Sequence, residues 1–183
     1  MATTGAATSG QDPLVVASRD AGNEPGVTAS ARGARALTAL DRDPTAAAEL
    51  ERLADRVRIR ELNARYNRCF DDGDVTGFAA TFTEDGAMEV AGGFAVAGRQ
   101  GLEDMCRHTP YGVVHVTVDA IVEVDGDRAT QDVTVLVLQR PEPGSVGGQL
   151  SSLQRTGRYH DELVRTSEGW RFARRTITLD GGI

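Results

Sequence analysis

The stretch from Val113 to Arg140 limits the possible folds more than any other part of the chain. The runs "VVHVTVDAIVEV" and "RATQDVTVLVLQR" are rich in β-branched residues and alternate in polarity. They flank Asp125-Gly126-Asp127, a turn short enough to join them as an antiparallel hairpin. Such a hairpin is marginal by itself and needs further strands or a helix against its apolar face. Both are available. "LSSLQRTGRYHDELVR" turns through "TSEG" into "WRFARRTITL", which closes the sheet, and "PEPGSVGGQ" is the looser connection between the two hairpins.

The half of the chain before Pro110 has a helical period instead. Asp43 can cap a helix whose first turn holds Pro44, a position where the missing amide hydrogen costs nothing. Leu50, Leu53, Val57, Leu62, Tyr66 and Cys69/Phe70 recur at spacings that predict one apolar stripe, ending at Gly73. Asp74 starts a second, short helix with Val75, Phe78 and Phe82 inward. "TEDGAMEVAGGFAVAG" reads as a small hairpin, and "RQGLEDMCRH" as a third helix with Leu102, Met105 and Cys106 inward. Three helices followed by long antiparallel strands is an α+β plan: a curved sheet wrapped on a long helix, enclosing a pocket. Residues 1–42 are rich in Ala, Gly, Ser and Thr with no sustained period, which predicts a flexible tail ahead of one domain spanning 43–183.

Charge and motifs exclude several function classes. A net charge of −7 with no basic stripe argues against nucleic acid as a partner. "MATTGAATSG" lacks the basic and apolar regions of a secretory signal, and no apolar run is long enough to span a membrane, so a cytoplasmic protein is expected. Cys69 and Cys106 sit beside apolar residues, which predicts free thiols. The three histidines are scattered without metal-ligand spacing. There is no phosphate-cradling glycine loop and no GxSxG, so neither a metal nor a cofactor is expected.

The succession "RYNRCFDDGD", "FAATFTEDGAMEV", "VVHVTVDAIVEVDGDRA" and "GRYHDELVRTSEGWRFARRTI" resembles the SnoaL-like polyketide cyclase/dehydratase branch of the nuclear transport factor two-like superfamily. The likeness runs from about Thr45 to Gly181. It implies a cone-shaped α+β barrel with a deep apolar pocket between the helices and the concave sheet. It also implies acid/base chemistry on a carbonyl-containing ring compound, without a cofactor. By position, Tyr66 and Asp71 match the tyrosine and aspartate of the dehydratase-like members, and His115 matches their strand histidine. The further acidic residue of the bile-acid dehydratases, and the second histidine of scytalone dehydratase, have no match in Val133–Leu138. An isomerase, cyclase or single-base lyase fits the residues present.

Asp71 is the expected base. It lies at the negative end of a helix beside Phe70, where the macrodipole and desolvation both disfavour its charge. His115 would act as acid or orienter, and the Tyr66 hydroxyl would donate to a carbonyl or enolate. Strict alternation puts Val114, Val116, Val118, Ala120 and Val122 on the core face of their strand. His115, Val113, Thr117 and Ile121 then fall on the other. Tyr159 and Asp161 share one face of the next hairpin and are expected to bind substrate, with Phe70, Phe82 and Met88 as apolar wall. Trp170 reads as core and His108 as surface. A homodimer is expected from apolar area on the outer sheet face. The alternatives are a non-catalytic ligand-binding protein and the small structural subunit of a ring-hydroxylating oxygenase.

Overall fold

The structure, a computed structural model, describes residues 43–109, 112–141 and 152–181. The expected tail and most of the "PEPGSVGGQ" connection lie outside these residues.

Helix α1 (Pro44–Asp72) begins where the sequence signals it: the Asp43 side chain accepts from the amides of Thr45 and Ala46. It ends at Gly73, whose φ of 71° is the left-handed conformation that glycine adopts without strain. The amides of Gly73 and Asp74 close onto the carbonyls of Phe70 and Cys69. Asp74 then caps α2 (Val75–Ala79) through the Gly77 amide at 2.9 Å. Strands β1 (Phe82–Val90) and β2 (Ala95–Ala97) form the small hairpin, and α3 (Gly98–His108) follows. The long strands are β3 (Val113–Asp125), β4 (Arg128–Gln139), β5 (Ser152–Thr166) and β6 (Gly169–Leu179).

One six-stranded curved sheet results, in the order β2-β1-β6-β5-β4-β3. Two expectations need correction. The sheet is mixed, because β1 pairs parallel to β6, with Met88 opposite Arg175 and Val90 opposite Ile177. It also remains open, with β2 and β3 as edges, and does not close into a barrel.

The stripe on α1 also differs from its expected course. Leu62 and Tyr66 are buried, but Leu50, Leu53 and Val57 are about half exposed. In that first half Asp55 turns inward instead. It is almost fully buried, accepts from Trp170 Nε1 at 3.0 Å and pairs with Arg165 and Arg58. Burial opposes its charge, but these donors outweigh burial and hold the carboxyl below the usual carboxylate range. The helix thus joins the β5–β6 hairpin by a charged anchor rather than by leucine packing.

Strand β3 switches faces partway along. Val118 pairs with Thr134 but Ile121 pairs with Asp132, so one extra residue is inserted at a bulge, where Asp119 has φ 56°. A one-residue slip reverses every side chain beyond it. Ala120 and Val122 pack on the core as expected, and Val124 with them, while Val114, Val116 and Val118 point to the convex face. Val113, His115 and Thr117 face the helix.

The core centres on aromatic rings from five elements. Tyr66 lies 5.0–6.1 Å, centroid to centroid, from Phe78, Phe82, Tyr159 and Phe172. A buried cation sits among them. The Arg175 guanidinium carbon is 4.0 Å from the Tyr66 ring centre, 4.2 Å from Tyr159 and 4.1 Å from Phe172. Asp161 grips it with two bonds of 2.7 Å, and Asn63 Oδ1 accepts a third of 2.7 Å.

Candidate functional site

Residues Asn63, Asn67 and Asp71 recur every fourth position on α1 and form a polar seam against the inward positions of β3. The Nδ2 groups of Asn63 and Asn67 both donate to Thr117 Oγ1, at 2.8 and 3.0 Å. At the preceding inward position, two residues earlier, His115 meets Asp71. Its Nδ1 is 2.6 Å from Asp71 Oδ1, and its backbone amide donates to Oδ2 at 2.8 Å. Both oxygens of Asp71 are therefore held by one residue. An ionised carboxylate only accepts, so in a neutral imidazole this pairing puts the hydrogen on Nδ1 and the lone pair on Nε2. The imidazole stands edge-on to Phe70, with ring centres 5.3 Å apart.

His115 lines a cavity of about 300 Å³ between α1, α3 and the concave sheet. Its walls are mostly apolar: Phe70, Met88, Val90, Phe94, Met105, Val113, Val137, Ile177 and Leu179. Tyr66, Tyr159, Thr109 and Arg155 supply the polar groups. The Tyr66 hydroxyl donates to Met88 Sδ at 3.5 Å, a weak acceptor that a ligand oxygen would readily replace. Burial raises the Tyr66 hydroxyl above its usual range, against the pull of the Arg175 charge; burial also raises Tyr159, well above its usual range. Both phenols therefore stay protonated as donors. Burial opposes the charge of Arg175 as well, but Asp161 holds the guanidinium firmly protonated.

Of the eight residues expected to form the site, Tyr66, His115, Tyr159, Phe70 and Met88 line this cavity. Asp71 reaches it only through His115 and itself borders a smaller neighbouring cleft with Gly73 and Cys106. Asp161 and Phe82 lie outside its lining. Both oxygens of Asp161 are taken, by Arg175 and by Gln131 Nε2 at 2.7 Å, so it supports the tyrosines from behind. Phe82 packs against Phe78 and Phe172 in the core. Arg158 and His160 lie on the outer face, where His160 pairs with Asp132 at 2.9 Å. His108 is exposed, Trp170 is buried, and burial raises the thiols of both free cysteines. Among the described residues no three potential metal ligands converge.

Sequence reasoning missed Arg175, Arg155 and the two asparagines. A signal for Arg175 exists: it lies at an inward position of β6 directly opposite the inward Asp161 of β5.

Residues 51–176 match the SnoaL-like domain family. An uncharacterised Mycobacterium tuberculosis protein, Rv2910c, is 28% identical over 145 residues, spanning 76% of this chain and 92% of that protein. An NTF2-like protein with a cystatin-like fold from Novosphingobium aromaticivorans superposes with a TM-score of 0.67 at 30% identity, over 77% of this chain and 92% of that one. A Catenulispora acidiphila protein in complex with S-DNPA shares the fold at 22% identity and a TM-score of 0.60, over 70% and 95% of the two chains.

Proposed function

The chain belongs to the SnoaL-like domain family, and on that premise we propose that it is a cofactor-independent acid/base enzyme of the cyclase, isomerase or dehydratase type. Its substrate is an apolar polycyclic or polyketide-like carbonyl compound. One observation carries this reading: a histidine held at Nδ1 by a buried carboxylate, with Nε2 left for an apolar cavity. The cavity volume, about 300 Å³, suits a compact ring system. The S-DNPA complex of the Catenulispora protein supports the idea that this fold accepts a small organic ligand.

The roles follow from the hydrogen bonds and reverse the expected order. His115 Nε2 takes the proton alpha to the carbonyl, and the electron pair moves onto the carbonyl oxygen as an enolate. Asp71 fixes the tautomer and stabilises the imidazolium that forms, because both of its oxygens bind His115 and it does not itself line the cavity. The Tyr66 hydroxyl leaves Met88 Sδ and donates to the enolate oxygen. Returning the proton elsewhere gives isomerisation, attack by the enolate gives cyclisation, and loss of a hydroxyl β to the carbonyl gives dehydration. A panel of aromatic polyketide-like and steroid-like ketones in deuterated water tests the first step. We expect the protein to exchange the alpha hydrogen of at least one member, and the His115→Asn variant to exchange none above the buffer rate. Equal exchange by both proteins would refute the assignment.

We further place a second copy on the convex sheet face, in a cytoplasmic homodimer. Val113 and Thr117, expected there, face the helix instead. The convex face carries half-buried Val114, Val116, Leu136 and Leu138, with Val118 38% exposed. Light scattering should give twice the 19.5 kDa chain mass; a value near 19.5 kDa would rule the dimer out.

A further inference from the structure

We propose that Arg155 makes the cavity selective for an acidic ligand, so that the ring compound carries a carboxylate at the end away from His115. The sheet register supplies the geometry. His115 on β3 is opposite Val137 on β4, and Val137 is opposite Arg155 on β5. All three side chains line the cavity, so they form one row across the concave face. Neighbouring strands lie about 4.8 Å apart, which puts the backbones of His115 and Arg155 roughly 10 Å from each other. That span suits the length of a fused two- or three-ring body.

Position along β5 fixes which end is open. Tyr159 is 2% exposed and closes the cavity, whereas Arg155, two inward positions earlier on the same face, is exposed. The inward position between them is Gly157, which adds no side chain of its own, and Leu179 of β6 packs over it. The charge pattern points the same way. Among the described residues that line the cavity Arg155 is the one arginine or lysine, and none is an aspartate or glutamate. The described lining residues thus put a cation and no acid at this mouth, in a chain whose net charge is −7. A guanidinium has five N–H donors in a planar fork, so it can grip a carboxylate with two of them while keeping another partner.

The orientation of the ligand, with its reacting end at His115, rests on the proposed function; the preference for an acid does not. The test therefore needs no turnover. Calorimetric titration with 2-naphthylacetic acid and with its methyl ester compares one ring body with and without the charge. We expect the acid to bind about tenfold more tightly than the ester at low salt, as one charge-assisted pair allows. Added salt should narrow the gap, because the arginine is solvent-exposed. The Arg155→Gln variant should lose that advantage while binding the ester within about twofold of the parent, and Arg155→Lys should recover part of it. Arg155 lies on the cavity rim outside the buried core, so folding of these variants can be verified by their unchanged melting curves. An acid that binds no more tightly than the ester, or an advantage that survives Arg155→Gln, overturns the proposal. If the acid preference stands while alpha-proton exchange is absent, the cavity is an anion-selective binding site and the enzymatic reading alone fails.

Discussion

Replacing Asp161 with alanine should destabilise the domain by about 3–5 kcal/mol, a large share of the roughly 5–15 kcal/mol that holds a typical domain together. The reason lies in what is left behind. Arg175 is fully buried, and Asp161 supplies two of its three hydrogen bonds. Without that carboxylate a guanidinium remains desolvated among three aromatic rings. Their cation–π attraction, about 2 kcal/mol each at best, offsets only part of the penalty. Gln131 also loses its acceptor. For a domain of this size each kcal/mol shifts the melting temperature by about 2–4 °C, so a fall of roughly 10 °C is expected. The double replacement Asp161→Leu with Arg175→Met should recover most of the loss, because removing both charges leaves no buried ion. A single Asp161→Ala variant melting within about 2 °C of the parent would show that the pair is not sealed from water.

The second large effect concerns turnover. Asp71→Asn keeps the shape but turns the carboxylate into an amide that can donate to Nδ1. The imidazole can then sit in the other tautomer, with its hydrogen on Nε2, where it cannot accept the substrate proton. We expect kcat to fall by about 10²–10⁴, as for loss of a positioned base, with KM little changed. Asp72→Asn, one residue on, should leave turnover within about twofold, because Asp72 is exposed and pairs loosely with Arg140, at 3.7 Å. A parent-like kcat in Asp71→Asn would mean that the carboxylate does not set the state of His115.

Much of the fold was legible because its signals are local. The caps at Asp43 and Asp74, the stop at Gly73 and the Asp125-Gly126-Asp127 turn each depend on a few adjacent residues. The parallel pairing of β1 with β6 was not legible, since nothing in either strand's own pattern names a partner some ninety residues away. The bulge at Asp119 misled the face assignment for a related reason. Alternation has no memory of an insertion, so the valines before it were given to the core when they belong outside. The pairing of Asp71 with His115 followed from family likeness rather than from spacing. Its direction came only with the geometry, which gives both carboxylate oxygens to the histidine. Arg175 escaped notice because a charged side chain in a strand reads as solvent-exposed until its opposite number, Asp161, is seen at the paired inward position.

The central claim is that His115 presents a bare Nε2 to the cavity because Asp71 holds the hydrogen on Nδ1. Long-range proton–nitrogen NMR on the nitrogen-labelled protein reads this without any substrate. His108 and His160, on the surface, serve as internal comparisons. With the ring neutral, the Nδ1 signal of His115 should be of the protonated type and Nε2 of the unprotonated type. An added ring ketone should shift Nε2 while leaving Nδ1 in place. A His115 found with its hydrogen on Nε2, or an Nε2 signal that ignores every cavity ligand, would contradict the account.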